Sequence, residues 1–137
     1  MAVVKDLLKV ETDGSLSFGD YSLSEKTKRE DFEYEGDIYK VKTFEEITKL
    51  EKNGMFLYES VPGTAVHHLS VSDDTVAFGV SGKGGAQFTL ELEPEEEYTV
   101  FIDDVRTGRM ATNMSGKLVL SAELREDRDV SVKVVRE

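Results

Sequence analysis

Apolar and polar residues alternate with a period of two along much of the chain, most clearly in its last third. Within residues 98–135, apolar side chains occupy every second position in three runs, which begin at Tyr98, Leu118 and Val130. This alternation predicts β-strands that each bury one face. Turn-forming and charged segments separate the runs, at Asp103-Asp104 with Gly108, at residues 113–116 and at residues 125–128.

The same alternation extends back to Met55. Further apolar runs lie in residues 56–58, 65–71, 76–80 and 88–92. Pro62 marks a corner because proline cannot donate to a strand ladder, whereas Ser81-Gly82-Lys83-Gly84-Gly85 predicts a hairpin loop. The part of the chain from Met55 onward is thus expected to hold seven strands at spacings of roughly 8 to 12 residues, a pattern typical of an antiparallel β-sandwich.

The N-terminal part is less regular. Residues 1–10 fit one or two helical turns as well as an uneven strand. Thr12-Asp13-Gly14-Ser15 predicts a hairpin turn, and Glu35-Gly36-Asp37 a second one between apolar alternations on either side. Residues 22–29 are polar without an apolar period, which indicates a surface connection.

One segment carries helix signals. Thr43 is followed three residues later by Glu46, the spacing of a capping box, and Asn53-Gly54 is typical of a helix end. Between them, Phe44, Ile47 and Leu50 fall three residues apart on one helical face. The sequence therefore predicts a short amphipathic α-helix over residues 44–52, packed through this face on a sheet because so short a helix is marginal alone.

Length and charge narrow the class of protein. With 137 residues the chain suits one domain, in which residues 1–54 (hairpins and the short helix) pack on a sandwich of residues 55–137. The net charge of -11 repels phosphate backbones and anionic lipids, so neither nucleic acid nor a membrane is an expected partner. The chain has no cysteine, no signal-peptide core and no membrane-spanning stretch, which predicts a cytoplasmic location.

No catalytic, cofactor-binding or metal-binding motif is present in the sequence. The acidic runs 30–37 and 93–97 read as solvated loops or as a weak calcium site, although they lack the spaced carboxylates of calcium loops. His67 and His68 should point to opposite faces of a strand, with His67 inward, so they cannot bind one metal together. Gly82-Lys83-Gly84-Gly85 lacks the register of a phosphate-binding loop.

The aromatic residues of the first half offer one candidate binding surface. Exposed rings could stack on the apolar face of a sugar or form an interface, while the alternative is packing of most of them in the core. The candidates are Phe18, Tyr21, Tyr34, Tyr39 and Tyr58.

Two resemblances bear on fold and function. The pattern from Tyr98 through Gly108 and Gly116 to Val134 resembles the last strands of immunoglobulin-like sandwich modules in bacterial polysaccharide-degrading enzymes, with Asp103-Asp104 where those modules commonly carry Asp-Gly. The chain as a whole, notably residues 39–44 and 58–66, is similar to small bacterial proteins that sometimes carry an automatic endosialidase label. That label implies a tyrosine nucleophile and three arginines that hold a carboxylate, but the arginines here show no such spacing.

These patterns favour an all-β protein, an immunoglobulin-like antiparallel sandwich, that acts as a non-catalytic interaction or structural module. Its partner is expected to be another protein, a glycan or a second copy bound through a sheet edge or an aromatic patch. A carbohydrate-binding accessory module is the alternative. An enzyme would require a pocket that gathers carboxylates such as Asp73, Asp74, Asp103 and Asp104.

Overall fold

Thirteen β-strands form two antiparallel sheets in residues 3–137, the part of the chain that this computed structural model describes. The seven-stranded sheet has the order β1-β2-β7-β8-β13-β10-β11, and its strands are β1 Leu8–Val10, β2 Leu16–Phe18, β7 Ala65–Val71, β8 Thr75–Ser81, β13 Val130–Arg136, β10 Glu97–Ile102 and β11 Val105–Ala111. The six-stranded sheet has the order β12-β9-β6-β5-β4-β3, and its strands are β12 Lys117–Glu123, β9 Gly85–Glu91, β6 Met55–Val61, β5 Ile47–Lys52, β4 Asp37–Phe44 and β3 Thr27–Tyr34.

The core lies between the two sheets, as the period-two alternation predicts. In the seven-stranded sheet, Val80 pairs with Val130 and Phe78 with Val132, and all four side chains are buried. In the six-stranded sheet, Leu90 pairs with Leu118 and Phe88 with Leu120. Inward apolar residues on neighbouring strands therefore meet in rows, and the predicted all-β sandwich is confirmed.

The predicted helix over residues 44–52 is wrong. The segment forms the end of β4 and all of β5, and Glu45-Glu46 makes the turn between them. Val41, Thr43, Thr48 and Leu50 are fully buried, which follows the period of a strand pair and not that of a helix. A helix this short gains little from its own hydrogen bonds, whereas β4 and β5 pair with strands on both of their sides. Pairing with neighbours overrides the local capping signal.

Three further expectations need correction. The surface connection predicted for residues 22–29 ends at residue 26, because β3 begins at Thr27. From Met55 onward there are eight strands and not seven, since the exposed β11 lies within the last third. The loop around Lys83 is not a hairpin, because it joins β8 of one sheet to β9 of the other.

The strands of residues 3–54 belong to both sheets. β1 and β2 extend the seven-stranded sheet, while β3, β4 and β5 complete the six-stranded one. In the segment 1–10, which the sequence left open, Leu8–Val10 is a strand, and Met1 and Ala2 lie outside the described residues. No helix long and apolar enough to cross a membrane occurs in residues 3–137.

The antiparallel order sends successive turns to opposite ends of the sandwich. One end, here called the closed end, carries the connections at residues 45–46, 62–64, 82–84 and 103–104. The other, called the open end, carries those at residues 11–15, 35–36, 53–54, 72–74 and 92–96. The candidate site lies at the open end.

Candidate functional site

The five aromatic candidates do not form a stacking platform. Four of them are buried, and only Tyr34 is partly exposed; the buried ones are Phe18, Tyr21, Tyr39 and Tyr58. Phe18 and Tyr58 pack edge to face with ring centroids 5.2 Å apart inside the core. Most of these rings are thus packed in the core.

A groove between the two sheets is the main concave feature of the open end. It consists of two neighbouring cavities, of about 300 Å³ and about 360 Å³, which share Leu57, Leu69 and Val71 in their walls. We call this feature the end groove. One cavity reaches inward to Tyr58 and Tyr98, while the other runs outward past Tyr39 toward Tyr34.

Two β-bulges shape the apolar wall of the end groove. In β6, Leu50 pairs with Tyr58 but Glu51 pairs with Phe56, so Leu57 is an extra residue beside Tyr58. In β7 the register shifts between His67 and Ser70, where His68 has a φ of 57°. Leu57 and Leu69 consequently pack against the core cluster and also line the groove.

The mouth of the end groove is acidic. Asp73 and Asp74, in the turn from β7 to β8, and Glu93, after β9, line the inner cavity and are exposed. Within residues 3–137, none of these three carboxylates has a Lys or Arg nitrogen within 4.0 Å. The groove thus combines an apolar wall with negative charges that the protein leaves without cationic partners.

Other polar groups around the outer cavity have their charges set by local hydrogen bonds. The Ser15 hydroxyl and backbone N-H donate to Asp13 and lower the pKa of its carboxyl. A hydrogen bond from the Asn53 amide lowers the pKa of the Asp37 carboxyl, and the charge of Lys52 lowers it by a smaller amount. Burial raises the pKa of Tyr39 to about 12, so its hydroxyl stays neutral at physiological pH. At neutral pH the outer cavity carries carboxylate charges and no phenolate.

The two histidines occupy different surfaces, and the prediction that His67 points inward is wrong. Val66 pairs with Val80 and is fully buried, which turns His67 outward, where its Nδ1 lies 3.1 Å from Asp129 Oδ1. The bulge then brings Leu69 inward. An extra residue reverses the alternation within one strand, so residues on its two sides follow opposite parity.

His68 lies near a serine and an aspartate, but without the geometry of nucleophilic catalysis. Its Nδ1 is 3.1 Å from Ser15 Oγ and 3.3 Å from Asp13 Oδ2. A Ser-His-Asp relay uses both ring nitrogens of the histidine, one for each partner. Here one nitrogen faces both groups, and the Ser15 hydroxyl donates its proton to Asp13.

The carboxylates that an enzyme would need are not brought together. Asp73 and Asp74 lie at the open end, whereas Asp103 and Asp104 form the turn at the closed end. Asp103 accepts hydrogen bonds from the Ser131 N-H and from Arg128, and these bonds lower its pKa. Among the described residues, no group of three His, Cys, Asp or Glu side chains is placed to hold a metal ion.

Sequence reasoning singled out Asp73 and Asp74, and Glu93 as part of the acidic run 93–97, but not Leu57. One signal was present for Leu57: the apolar run Met55-Phe56-Leu57-Tyr58 interrupts the period of two, as an inserted bulge residue does. Phe56 lies on the outer face, 4.9 Å from Lys117 Nζ, which leaves Leu57 and Tyr58 for the inner side. The placement of Glu93 at the groove depends on the connection from β9 to β10.

Fold and site together define a two-sheet antiparallel β-sandwich protein with a groove between the sheets at one end. No protein-family model, curated protein or solved structure matches the chain. The function is therefore argued from the groove.

Proposed function

We propose that this protein is a non-catalytic binding module whose end groove takes an extended peptide segment with alternating apolar and basic side chains. The observation that carries the proposal is the apolar wall of Leu57, Leu69 and Val71 beneath a mouth of carboxylates without cationic partners. Apolar surface favours burial of a ligand, and the carboxylates select its charge.

The shape of the groove supports a peptide. Two adjoining cavities of about 300 and 360 Å³ lie at the lower end of the size range of small-ligand sites. In an extended chain every second side chain points the same way, about 7 Å from the last. Two apolar side chains of such a segment can enter the two cavities while the intervening basic ones face the rim.

The charge of the protein supports a basic partner. The net charge of -11 attracts cations over long range, and Asp73, Asp74 and Glu93 concentrate negative charge at the mouth. Two of the other four acids that line the groove are paired with lysines, Asp37 with Lys52 at 3.5 Å and Glu91 with Lys117 at 3.2 Å. Affinity should therefore depend on the unpaired carboxylates and weaken with salt.

A non-catalytic role is supported by the separation of Asp73 from Asp103 and by the arrangement around His68. The carbohydrate-binding alternative has less support, because four of the five candidate rings are buried. An immunoglobulin-like relationship remains a proposal for β6–β13, supported by their repeated crossing between the two sheets. A cytoplasmic location is likewise proposed, on the absence of cysteine.

The test is calorimetric titration of the full chain with the peptide acetyl-Leu-Lys-Leu-Lys-amide and its charge-reversed counterpart, acetyl-Leu-Glu-Leu-Glu-amide. We expect saturable binding of the lysine peptide, weaker at 500 mM salt, and at least tenfold weaker binding of the glutamate peptide. The double variant Asp73→Asn, Asp74→Asn should lose at least fivefold in affinity for the lysine peptide and keep the wild-type melting temperature.

The matched control removes an adjacent acidic pair from the closed end. Glu45 and Glu46 are exposed in the turn between β4 and β5, so Glu45→Gln, Glu46→Gln changes the net charge equally without touching the groove. It should bind like the wild type. Equal loss in both double variants, or equal binding of the two peptides, contradicts a specific site. Saturable binding of neutral or acidic oligosaccharides without binding of the lysine peptide would replace the proposal by the carbohydrate-binding one.

A further inference from the structure

The four edge strands of the two sheets differ in how their free backbone groups are protected. Unpaired N-H and C=O groups on a sheet edge invite another strand, and proteins prevent this with short strands, bulges, charges or coverage. The edges are β1 and β11 in one sheet and β12 and β3 in the other. Three of them carry such protection along the strand, and the fourth carries it at one end.

β1 has only three residues, and its backbone is partly covered. Arg29, on β3, donates to the carbonyl oxygens of Asp6 at 3.0 Å and Leu8 at 3.2 Å. β3 itself has a register shift after Arg29, with Asp31 at a φ of 60°, and it carries charges along much of its length. This lateral side of the sandwich is closed to strand addition.

β11 is protected by its shape and charge. Its pairing with β10 shifts register between Val100 and Phe101, and Gly108 has a φ of 153°. Arg106 and Arg109 are exposed along the strand. A bulged edge with like charges is a poor template for a second strand.

β12 is the least protected of the four edges. Within the described residues its cover lies at its first residue, where the Asn113 N-H donates to the Lys117 carbonyl oxygen at 3.2 Å and the Lys117 N-H donates to Asn113 Oδ1 at 3.0 Å. Its seven residues pair with β9 in continuous register from Lys117 to Glu123, and no charged residue lies between these two ends. Val119 is 42% exposed at the middle of the outer face. A straight, mostly uncharged edge of this length is the kind of strand that pairs with another chain.

We propose that β12 pairs antiparallel with β12 of a second copy around a two-fold axis at Leu120. In this register Lys117 lies opposite Glu123 of the partner subunit, and Val119 lies opposite Ser121 of the partner subunit. The charges of the strand are therefore self-complementary, as a two-fold interface requires. Opposite charges on directly opposed residues stabilise strand pairing, whereas like charges there destabilise it.

Lys117 contacts its own sheet and is still 40% exposed. Its Nζ lies on the outer face, 3.2 Å from Glu91 on β9 and 4.9 Å from the Phe56 ring centroid on β6. Both strands lie on the side of β12 away from the free edge, so the ammonium turns from Glu91 toward Glu123 of the partner subunit when the two strands pair. Pairing would join the two six-stranded sheets into one continuous sheet and leave both end grooves outside the interface.

The test is solution mass by light scattering across protein concentration. We expect the mass to approach twice the 15.3 kDa of the monomer with increasing concentration, and to fall on dilution because one strand pair is a small interface. Lys117→Glu and Glu123→Lys should each be monomeric at concentrations where the wild type is dimeric. An equimolar mixture of the two variants should recover the dimeric mass, because the opposed charges are again unlike.

Circular dichroism and thermal melting establish that each variant is folded. Arg106→Glu, on the β11 edge, is the control and should keep the wild-type mass. A wild type that stays monomeric up to about 1 mM would overturn the proposal, and so would an unrestored mixture or dissociation by Arg106→Glu. The double variant Asp73→Asn, Asp74→Asn should leave the solution mass unchanged. The dimer proposal and the peptide-binding proposal can therefore fail independently of each other.

Discussion

The two ends of the sandwich differ in the side chains that cover the core. The closed end is filled with hydroxyl groups that hydrogen-bond one another, whereas the open end is lined with leucine and valine side chains that remain partly exposed. The same core runs into both ends. The difference shows that a binding groove here results from leaving one end unfilled.

At the closed end, Thr48 and Thr64 link β5 to the connection between β6 and β7. The Thr64 N-H donates to Thr48 Oγ1 at 3.0 Å, and the Thr48 hydroxyl donates to the Thr64 carbonyl at 2.9 Å. Thr64 Oγ1 lies 2.8 Å from both the Tyr58 hydroxyl and Ser60 Oγ. Burial raises the pKa of Tyr58, so its hydroxyl remains a neutral partner. Within the described residues no buried side-chain N or O lacks a hydrogen-bond partner, so this end is both polar and satisfied.

Truncation of one leucine in the core and of one in the groove wall should show the largest difference. Leu50 is fully buried, and Leu50→Ala should lower the free energy of unfolding by about 2–5 kcal/mol. Leu57→Ala, beside it on β6, should cost about 1 kcal/mol because this side chain already borders the groove. Urea unfolding measures both. Equal costs would show that the groove wall at the open end is packed as tightly as the core.

Adding one methyl group to the closed end should have the next largest effect. A Cβ on Gly63 would collide with the backbone carbonyl oxygen of Phe44, so Gly63→Ala should cost about 3 kcal/mol. Gly85→Ala is the control, because its Cβ would meet only the flexible Glu123 carboxylate. The measurement is again urea unfolding. A Gly63→Ala variant as stable as Gly85→Ala would show that the backbone at the closed end shifts to accommodate the added methyl group at little cost.

Removal of one hydroxyl from the closed end should have a smaller effect. Thr48→Val keeps the side-chain volume but leaves the buried Thr64 N-H without its acceptor, which should cost about 2 kcal/mol. Thr89→Val, on the outer face of β9, is the matched control and should change stability by less than about 0.5 kcal/mol. Thermal unfolding followed by circular dichroism distinguishes the two, and equal melting temperatures would contradict the proposed importance of the hydroxyl network.

The sequence predicts those features that arise from short-range periodicity. The runs around Phe78, Leu90, Val100 and Val132 appear as strands with the expected inward residues, and Glu35-Gly36-Asp37 lies at a hairpin turn. A period of two predicts those strands that bury one face and expose the other. It fails for β3 and β11, because edge strands exposed on both faces need no apolar period.

Long-range pairing determined the remaining features. Residues 44–52 carry helix signals, yet they form strand because β4 and β5 find hydrogen-bonding neighbours on both sides. The bulges at Leu57 and His68 reverse or interrupt local alternation, and their positions follow from partner strands distant in sequence. Strand identity is thus largely local, because a period of two lies within a few residues. The groove and the position of β12 at a sheet edge depend on which strands become neighbours, and no local pattern contains that information.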